Sequence, residues 1–414
     1  MKIANCILCS SSNLELILDL GEQPWCNAFY AHNLSAQINT HPLHLMLCKD
    51  CNFVQLDYFV AKEVMFSDHT YTSGTTSTLR KHFSQLALEN IQQFNLSADD
   101  LIVDIGGNDG TQLLEYKKLG INNVLNIESA KNISEISIKN GIPTINIFFN
   151  EEAADIIQNR QYPKAKLINA SGVFFHLEEI HSVCKGIKKL LDDNGIFIVQ
   201  FMYLGDIVSN SAFDAIYHEH LFYYTLQSLN KLINIYDMEI FDAHRSNIHG
   251  GSMIAKITHK NSILNIETTR KLKLETNECV SRSSLKEFAR ESKLKRDQIL
   301  GYLVRLKKEI IGLGAPAKST TLFNYCGIDN TLIKETWEIN DLKVGRVCPG
   351  SNIPIVKEDI AKTPEYIFVT AWNFREEIIN KNLDLLNRGT KFIFPLPELE
   401  VVYMKNNMLT VEKI

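Results

Sequence analysis

The chain has 414 residues, 45% of them hydrophobic, and a formal net charge of −5 at pH 7. That length exceeds one ordinary domain and predicts two or three, each able to bury a proper core. The negative balance argues against nucleic acid or an anionic membrane as main partner, and no apolar run approaches the length that spans a bilayer.

The opening, MKIANCILCSSSNLELILDL, carries one lysine and no uninterrupted apolar core, a poor secretory signal. A cytoplasmic location is expected, where thiols stay reduced. The nine cysteines, an odd number, then read as ligands or small buried hydrophobes rather than a disulfide framework. Cys6 and Cys9 form one C-x-x-C pair, and Cys48 and Cys51 a second, with 38 residues between the pairs. A two-residue spacer lets both thiolates of a pair converge on one tetrahedral ion, and two pairs close a four-sulfur site with no position left for substrate. Zinc is the expected occupant, in a structural role, within a module over residues 1–68.

From 69 to 265 apolar strands such as DLIVDIGG, NVLNIES, AKLINAS and GIFIVQFM alternate with helical patterns. This predicts a largely parallel sheet in an α/β domain. DLIVDIGGNDGTQLLEY reads as strand, glycine turn and helix. It is neither the dinucleotide G-x-G-x-x-G nor a P-loop. Asp104, Gly106, Asn108 and Gly110 are candidate cofactor-binding positions, because glycines allow close backbone approach. Glu128 ends the next strand, 22 positions after Gly106, where an acid accepts hydrogen bonds from ribose hydroxyls. Acidic residues around a turn without phosphate-binding groups suit a cationic, phosphate-free nucleoside, and S-adenosylmethionine is the obvious one. Asp104 resembles the acidic residue of the class I methyltransferase turn.

AIYHEHLFYY, residues 215–224, crowds His218 and His220 around Glu219 and Tyr217. If this were a strand, the two histidines would share a face. H-x-H is a metal-ligand spacing, yet no third ligand set stands nearby, and proton transfer fits better: an imidazole exchanges protons near neutral pH. Glu219 would set its tautomer or basicity, and Tyr217 would donate to developing negative charge on oxygen. Residues 266–305 follow as a charged, solvent-facing helical connector. From 306 to 414, EIIGLGAPAK opens a second strand-turn-helix, and ETWEIND, YIFVTAWN and KFIFPLP continue as strands of a second α/β domain.

FDAIYHEHLFYYT resembles the signature of the nucleotide-sugar C-methyltransferases, the sugar C-3 methyltransferases that make branched deoxysugars. LCKDCNFVQL, TYTSGTTSTLRKHF, DIGGNDGTQL, NIHGGSMIAKI, GAPAKSTTLFNYCGI, VGRVCPGSNIPI and AWNFREEI resemble further blocks of that family, in the family's order. The resemblance implies an N-terminal zinc module, a central class I S-adenosylmethionine methyltransferase domain and a C-terminal Rossmann-like domain that helps to hold a nucleotide sugar. It implies C-methylation beside the ketone of a nucleoside-diphosphate 4-keto sugar through an enolate. His220 then matches the family's base, and Tyr217 and Glu219 match residues that orient sugar and base. His176 in GVFFHLEE and Tyr71 in DHTYTSG match further active-site residues. Lys318, Asn324, Arg346, Asn373 and His249, from the matching blocks, are expected to meet the sugar nucleotide. Ser319 stands where the family commonly has glycine. Three packed domains are compatible with a monomer. The rival reading uses GLGAPAK for a nicotinamide in a nucleotide-sugar oxidoreductase or epimerase, and it leaves the first glycine turn and Glu128 without a role.

Overall fold

The computed structural model describes residues 1–31, 38–260, 262 and 280–414. Near the N-terminus, β1 (Leu14–Pro24) pairs antiparallel with β3 (Thr40–Cys48), and β2 (Tyr30–Ala31) lies between them in sequence. Leu43, Leu45 and Leu47 alternate into the core, the period of a strand with one face covered. β4 (Val54–Leu56) completes this ribbon beside β3.

The central sheet begins with five parallel strands: β5 (Leu101–Ile105), β6 (Val124–Ile127), β7 (Thr144–Ile145), β8 (Ala165–Ser171) and β9 (Leu191–Met202). Every residue of β5 and β6 is buried, as strands covered on both faces require. The covering helices are amphipathic: Ile180–Leu190 buries Ile180, Val183, Cys184, Ile187 and Leu190, one stripe at helical spacing. After β9 the chain leaves the sheet. β10 (Phe222–Tyr223) pairs instead with β4, Phe222 opposite Gln55. β11 (Met238–Ser246) and β12 (Ser252–His259) then form a hairpin, with β12 antiparallel to β9. The order across the sheet is β11-β12-β9-β8-β5-β6-β7, that of the class I S-adenosylmethionine methyltransferase fold. The order reverses between β5 and β8, and a crevice opens at the carboxyl ends of strands at such a switch point.

The helix Arg282–Leu306 starts at a Ser281–Ser284 capping box and buries Leu285, Phe288, Ala289, Ser292, Lys295, Ile299 and Leu303 on one face. It packs on β1, where Arg282 and Lys286 pair with Glu15. The expected connector is thus helical with a buried stripe where it is described; its residues 266–279 lie outside the described residues. The C-terminal part holds β13 (Ile310–Leu313), β14 (Thr336–Glu338), β15 (Arg346–Val347), β16 (Ile355–Lys357), β17 (Tyr366–Val369), β18 (Lys391–Phe394), β19 (Glu400–Lys405) and β20 (Met408–Lys413). Its sheet runs β16-β14-β13-β17-β18-β19-β20, parallel through β18 and closed by an antiparallel hairpin. β15 pairs with β2, so the first and last parts of the chain are stitched directly together. Among the described residues no helix is long and apolar enough to cross a membrane.

Candidate active site

The turn after β5 takes left-handed backbone at Gly106 (φ +63°), Asn108 (φ +52°) and Gly110 (φ +79°). Asparagine is among the few non-glycine residues that adopt it readily. A Cβ on Gly106 would stand 2.5 Å from Val173 Cγ2, so only glycine lets the turn press on the segment after β8. Asn108 N–H donates to Glu128 Oε2 (3.0 Å), and Ala130 N–H donates to Oε1 (2.7 Å), fixing that carboxylate at the tip of β6. Gly106, Asn108 and Glu128 line a cleft of about 900 Å³, counting its open mouth. Asp104 and Gly110 stand behind it. Asp104 is buried under the turn, and burial, with Glu128 adding, pushes its carboxyl well up; Gly110 packs on Ile142 and Ser137.

The cleft fits an adenosyl sulfonium. Glu128 offers a buried acceptor for hydroxyls. Gly172, at φ +75°, turns open backbone into the cleft with nothing within 4 Å of where a Cβ would stand. Ser171 Oγ, in the same wall, is buried without a hydrogen-bond partner.

The same cleft is lined by proton-handling groups. Residues 217–220 form a tight turn, with His220 N–H donating to Tyr217 O at 2.8 Å; the strand geometry considered from sequence does not occur here. The turn sends its side chains in different directions. His218 points toward the N-terminal ribbon, its Nε2–H donating to Pro42 O (3.3 Å). Glu219 reaches the cleft, and its Oε1 accepts from Trp25 Nε1–H (2.8 Å) and Asn27 Nδ2–H (2.6 Å). Its Oε2 lies 3.8 Å from His69 Nε2. His176, in the cleft wall, donates from Nδ1 to the Glu219 carbonyl at 2.5 Å. His220 is buried one ring further in, with centroids 5.1 Å from His176 and 3.8 Å from Tyr217, and its Nδ1–H donates to Ala215 O (2.9 Å). Tyr71 closes the near side: its N–H donates to His69 Nδ1 (3.2 Å), and its carbonyl accepts from Asn108 (3.2 Å).

Burial opposes ionisation of Glu219, but the nearby imidazoles of His69 and His176 and the hydrogen bond from Asn27 overcome it and hold its carboxyl at about 2. Burial pushes His176 and His218 down to about 4, so both are neutral at pH 7. Sequence reasoning missed His69, Trp25 and Asn27. His69 is two residues from Tyr71 in an already singled-out block, and PWCN was the available signal for the other two.

The four cysteines converge. Their Sγ atoms all lie within 4.8 Å of one another, with Cys6–Cys51 and Cys9–Cys48 each 3.6 Å apart. A Zn–S bond of about 2.3 Å gives a tetrahedral edge near 3.8 Å, so the donor set fits zinc. His181 on the helix Ile180–Leu190 bonds Ile7 O through Nε2 (2.7 Å) and docks the knuckle on the central domain.

In the C-terminal domain Lys318 Nζ bonds Asn373 Oδ1 (2.5 Å), stands 3.7 Å from Asp214 Oδ2 and caps the Trp372 ring at 4.2 Å. Trp372 Nε1–H also donates to Asp214 (2.6 Å), a partner that sequence reasoning did not single out. The Asn324 Nδ2 group donates to Thr320 O and Pro349 O. The exposed Arg346 bonds Phe29 O (3.3 Å). His249 sits in the short turn Ile248–Gly250 against Trp372–Phe374; its side chain lies outside the described residues. Ser319 is buried, its hydroxyl donating to Pro316 O (2.7 Å). At the GLGAPAK turn, Ala315 N–H is already bonded to Glu338 (2.9 Å), one of the two acids, with Asp341, that a nicotinamide reading would offer to ribose.

Residues 6–66 match the family model described as "Putative zinc binding domain", and residues 247–397 match that of the C-methyltransferase C-terminal domain. The chain is 28% identical over 98% of its length to the C-methyltransferase NovU of Streptomyces niveus, covering 98% of that protein. This chain is a C-methyltransferase.

The C-methyltransferase is S-adenosylmethionine-dependent, with a four-cysteine zinc site. Solved structures overlap with part of it. Magnesium protoporphyrin IX methyltransferase from Synechocystis PCC 6803 is 13% identical over 44% of this chain and 83% of its own, with TM-score 0.35. A methyltransferase from Anabaena variabilis is 18% identical over 42% of this chain and 83% of its own, with TM-score 0.33. The fold is identified by its strand order, β11-β12-β9-β8-β5-β6-β7.

Proposed function

We propose that the enzyme methylates carbon 3 of a nucleoside-diphosphate 4-keto-deoxysugar, through an enolate, in the making of a branched sugar. One observation carries this reading: Glu219, His69 and His176 line the same cleft as the glycine turn and Glu128. A carbon nucleophile must lose a proton before it attacks a sulfonium methyl, and the carbon between a ketone and a hydroxyl is acidic enough for an enzymatic base. S-adenosylmethionine supplies the electrophilic methyl group. The chain holds the acceptor carbon beside it, which removes much of the barrier, and handles the proton.

His220 is the proposed base. Its Nδ1–H donates to the Ala215 carbonyl, which makes Nε2 the basic nitrogen. Tyr217, tilted against that ring, and Tyr71 at the cleft are the proposed donors to the enolate oxygen. Lys318, partly buried between Asp214 and Asn373, is the proposed diphosphate contact, with Arg346 and His249 as further contacts. Zinc takes no part in the chemistry.

The test is incubation with methyl-labelled S-adenosylmethionine and a panel of 4-keto nucleotide sugars in deuterated buffer. Label in a C–C-bound methyl group, with solvent deuterium entering the acceptor carbon of unreacted sugar, is the expected result. Label on oxygen would overturn the reading. His220→Asn is expected to bind both ligands and to lose about 10²–10⁴-fold in turnover; equal turnover would remove His220 from its role.

A further inference from the structure

Between β1 and β2 the N-terminal module sends two donors to a single oxygen of Glu219, from Trp25 at 2.8 Å and Asn27 at 2.6 Å. The loop that bears them closes on itself, Phe29 N–H bonding Asn27 O at 2.7 Å. The C-terminal domain grips it: Thr320 Oγ1–H donates to Cys26 O (2.8 Å), and Lys343 Nζ caps the Phe29 ring at 4.9 Å. Two donors on Oε1 fix the rotation of the carboxylate and aim Oε2 at His69. His69 is itself held at both main-chain groups by Asn132, through its N–H (3.0 Å) and its carbonyl (2.7 Å). Its Nδ1 accepts from Tyr71 N–H, so Nε2 carries the proton and faces Glu219.

We propose that Trp25 and Asn27 are positioning residues for methyl transfer: they lock Glu219 so that it orients His69 in the cleft wall, which makes the zinc-binding module a part of the active site. This rests on reading the cleft as the methyl-transfer site. A carboxylate held by two neutral donors stays ionised and in one pose through the reaction, and its pose sets which way the neighbouring imidazole directs its proton. The titratable groups facing Glu219 are Cys26, His69, His176, Tyr217, His218 and Lys343.

Asn27→Asp keeps the shape and reverses the interaction. At pH 8 it sets two carboxylates against each other. At lower pH they share one proton, and the protonated partner donates as Asn27 did. The expected result is a kcat about 100-fold below wild type at pH 8, with the ratio recovering at least tenfold by pH 6. Asn27→Leu stays about 30-fold down at every pH. Both keep one zinc per chain and bind S-adenosylhomocysteine within threefold of wild type. If Asn27→Leu loses zinc, Trp25→Phe removes the other donor while keeping an aromatic ring. An Asn27→Asp profile parallel to wild type, or a zinc-replete Asn27→Leu within threefold in kcat, overturns the proposal.

A substrate-free arm separates this inference from the functional reading. With ¹³C-labelled glutamate, assigned through Glu219→Gln, the Glu219 titration midpoint is expected to rise by at least one pH unit in Asn27→Leu and in Trp25→Phe; an unchanged midpoint overturns the inference. If the wild-type chain methylates no keto sugar, yet the variants show this shift, only the sugar reading is overturned.

Discussion

The turn Tyr217–His220 shows how burial sorts similar side chains. His218 and His220 are two positions apart, but the turn directs one to the N-terminal ribbon and the other behind His176. His176 and His218 are held near 4 by burial, below the ordinary 6.5, so the unfolded chain takes up protons first as pH falls. Stability from these groups is full above about pH 6.5 and is lost as pH drops toward 4. For the fully buried His218 the loss is at most about 3 kcal/mol. Urea midpoints are expected to be flat from pH 8 to 7 and to fall between 6.5 and 4, and His218→Asn to flatten that fall. Glu219, held at about 2, has the opposite protonation state and the same sign: its contribution is present above its ordinary value and is lost only as pH falls from about 4.5 toward 2. At this scale the residue types were legible, because H-E-H beside tyrosines is a proton-handling composition. Their directions were not, because a one-residue change from strand to turn redirects every side chain.

Among the elements, β10 is the most consequential. Two residues, Phe222 and Tyr223, extend the sheet of the zinc-binding module from within the central domain's sequence. The short run LFYY reads as another apolar strand, and nothing local says which sheet it joins. The glycine turn is different: strand, turn and helix are adjacent in the chain, so Gly106, Asn108 and Glu128 are legible as one site from their spacing alone. The cysteine pairs are local too, each spacing fixing its own knuckle. Cys48→Ser, or chelation, is expected to take zinc from one per chain toward none and to cost at least several kcal/mol, read as a lower calorimetric midpoint. An unchanged midpoint with zinc gone would show that the ribbon's leucines hold it unaided.

Over the whole molecule, the parts meet through single polar contacts carried by distant segments. Asp214, from the central domain, sits fully buried against Lys318 and Trp372 of the C-terminal domain. Burial pushes its carboxyl up, and Lys318 and Trp372 pull it back. Lys318→Met therefore strands a buried carboxylate and is expected to destabilise by about 3–5 kcal/mol, while Lys318→Met with Asp214→Asn recovers much of that loss. Denaturant titration of both variants checks it; equal stability of the single and double variants would show that the pair is not coupled. Keto-sugar affinity is expected to fall in both, since the proposed diphosphate contact is gone from each.

By itself the sequence determined the alternation of strands and helices, the glycine turn with Glu128, the four-sulfur knuckles and the presence of a histidine–carboxylate cluster. Each is a short-range pattern, written in spacings that backbone geometry reads directly. Only the tertiary structure decided which imidazoles face the cleft, that Asp104 is buried behind the turn, that the Asn324 amide donates to Thr320 and Pro349, and that Trp25 and Asn27 reach Glu219 across more than 190 positions. Those outcomes depend on how separately folded layers pack, and the hydrogen-bond partners of a buried polar group are chosen by that packing, not by its neighbours in the chain.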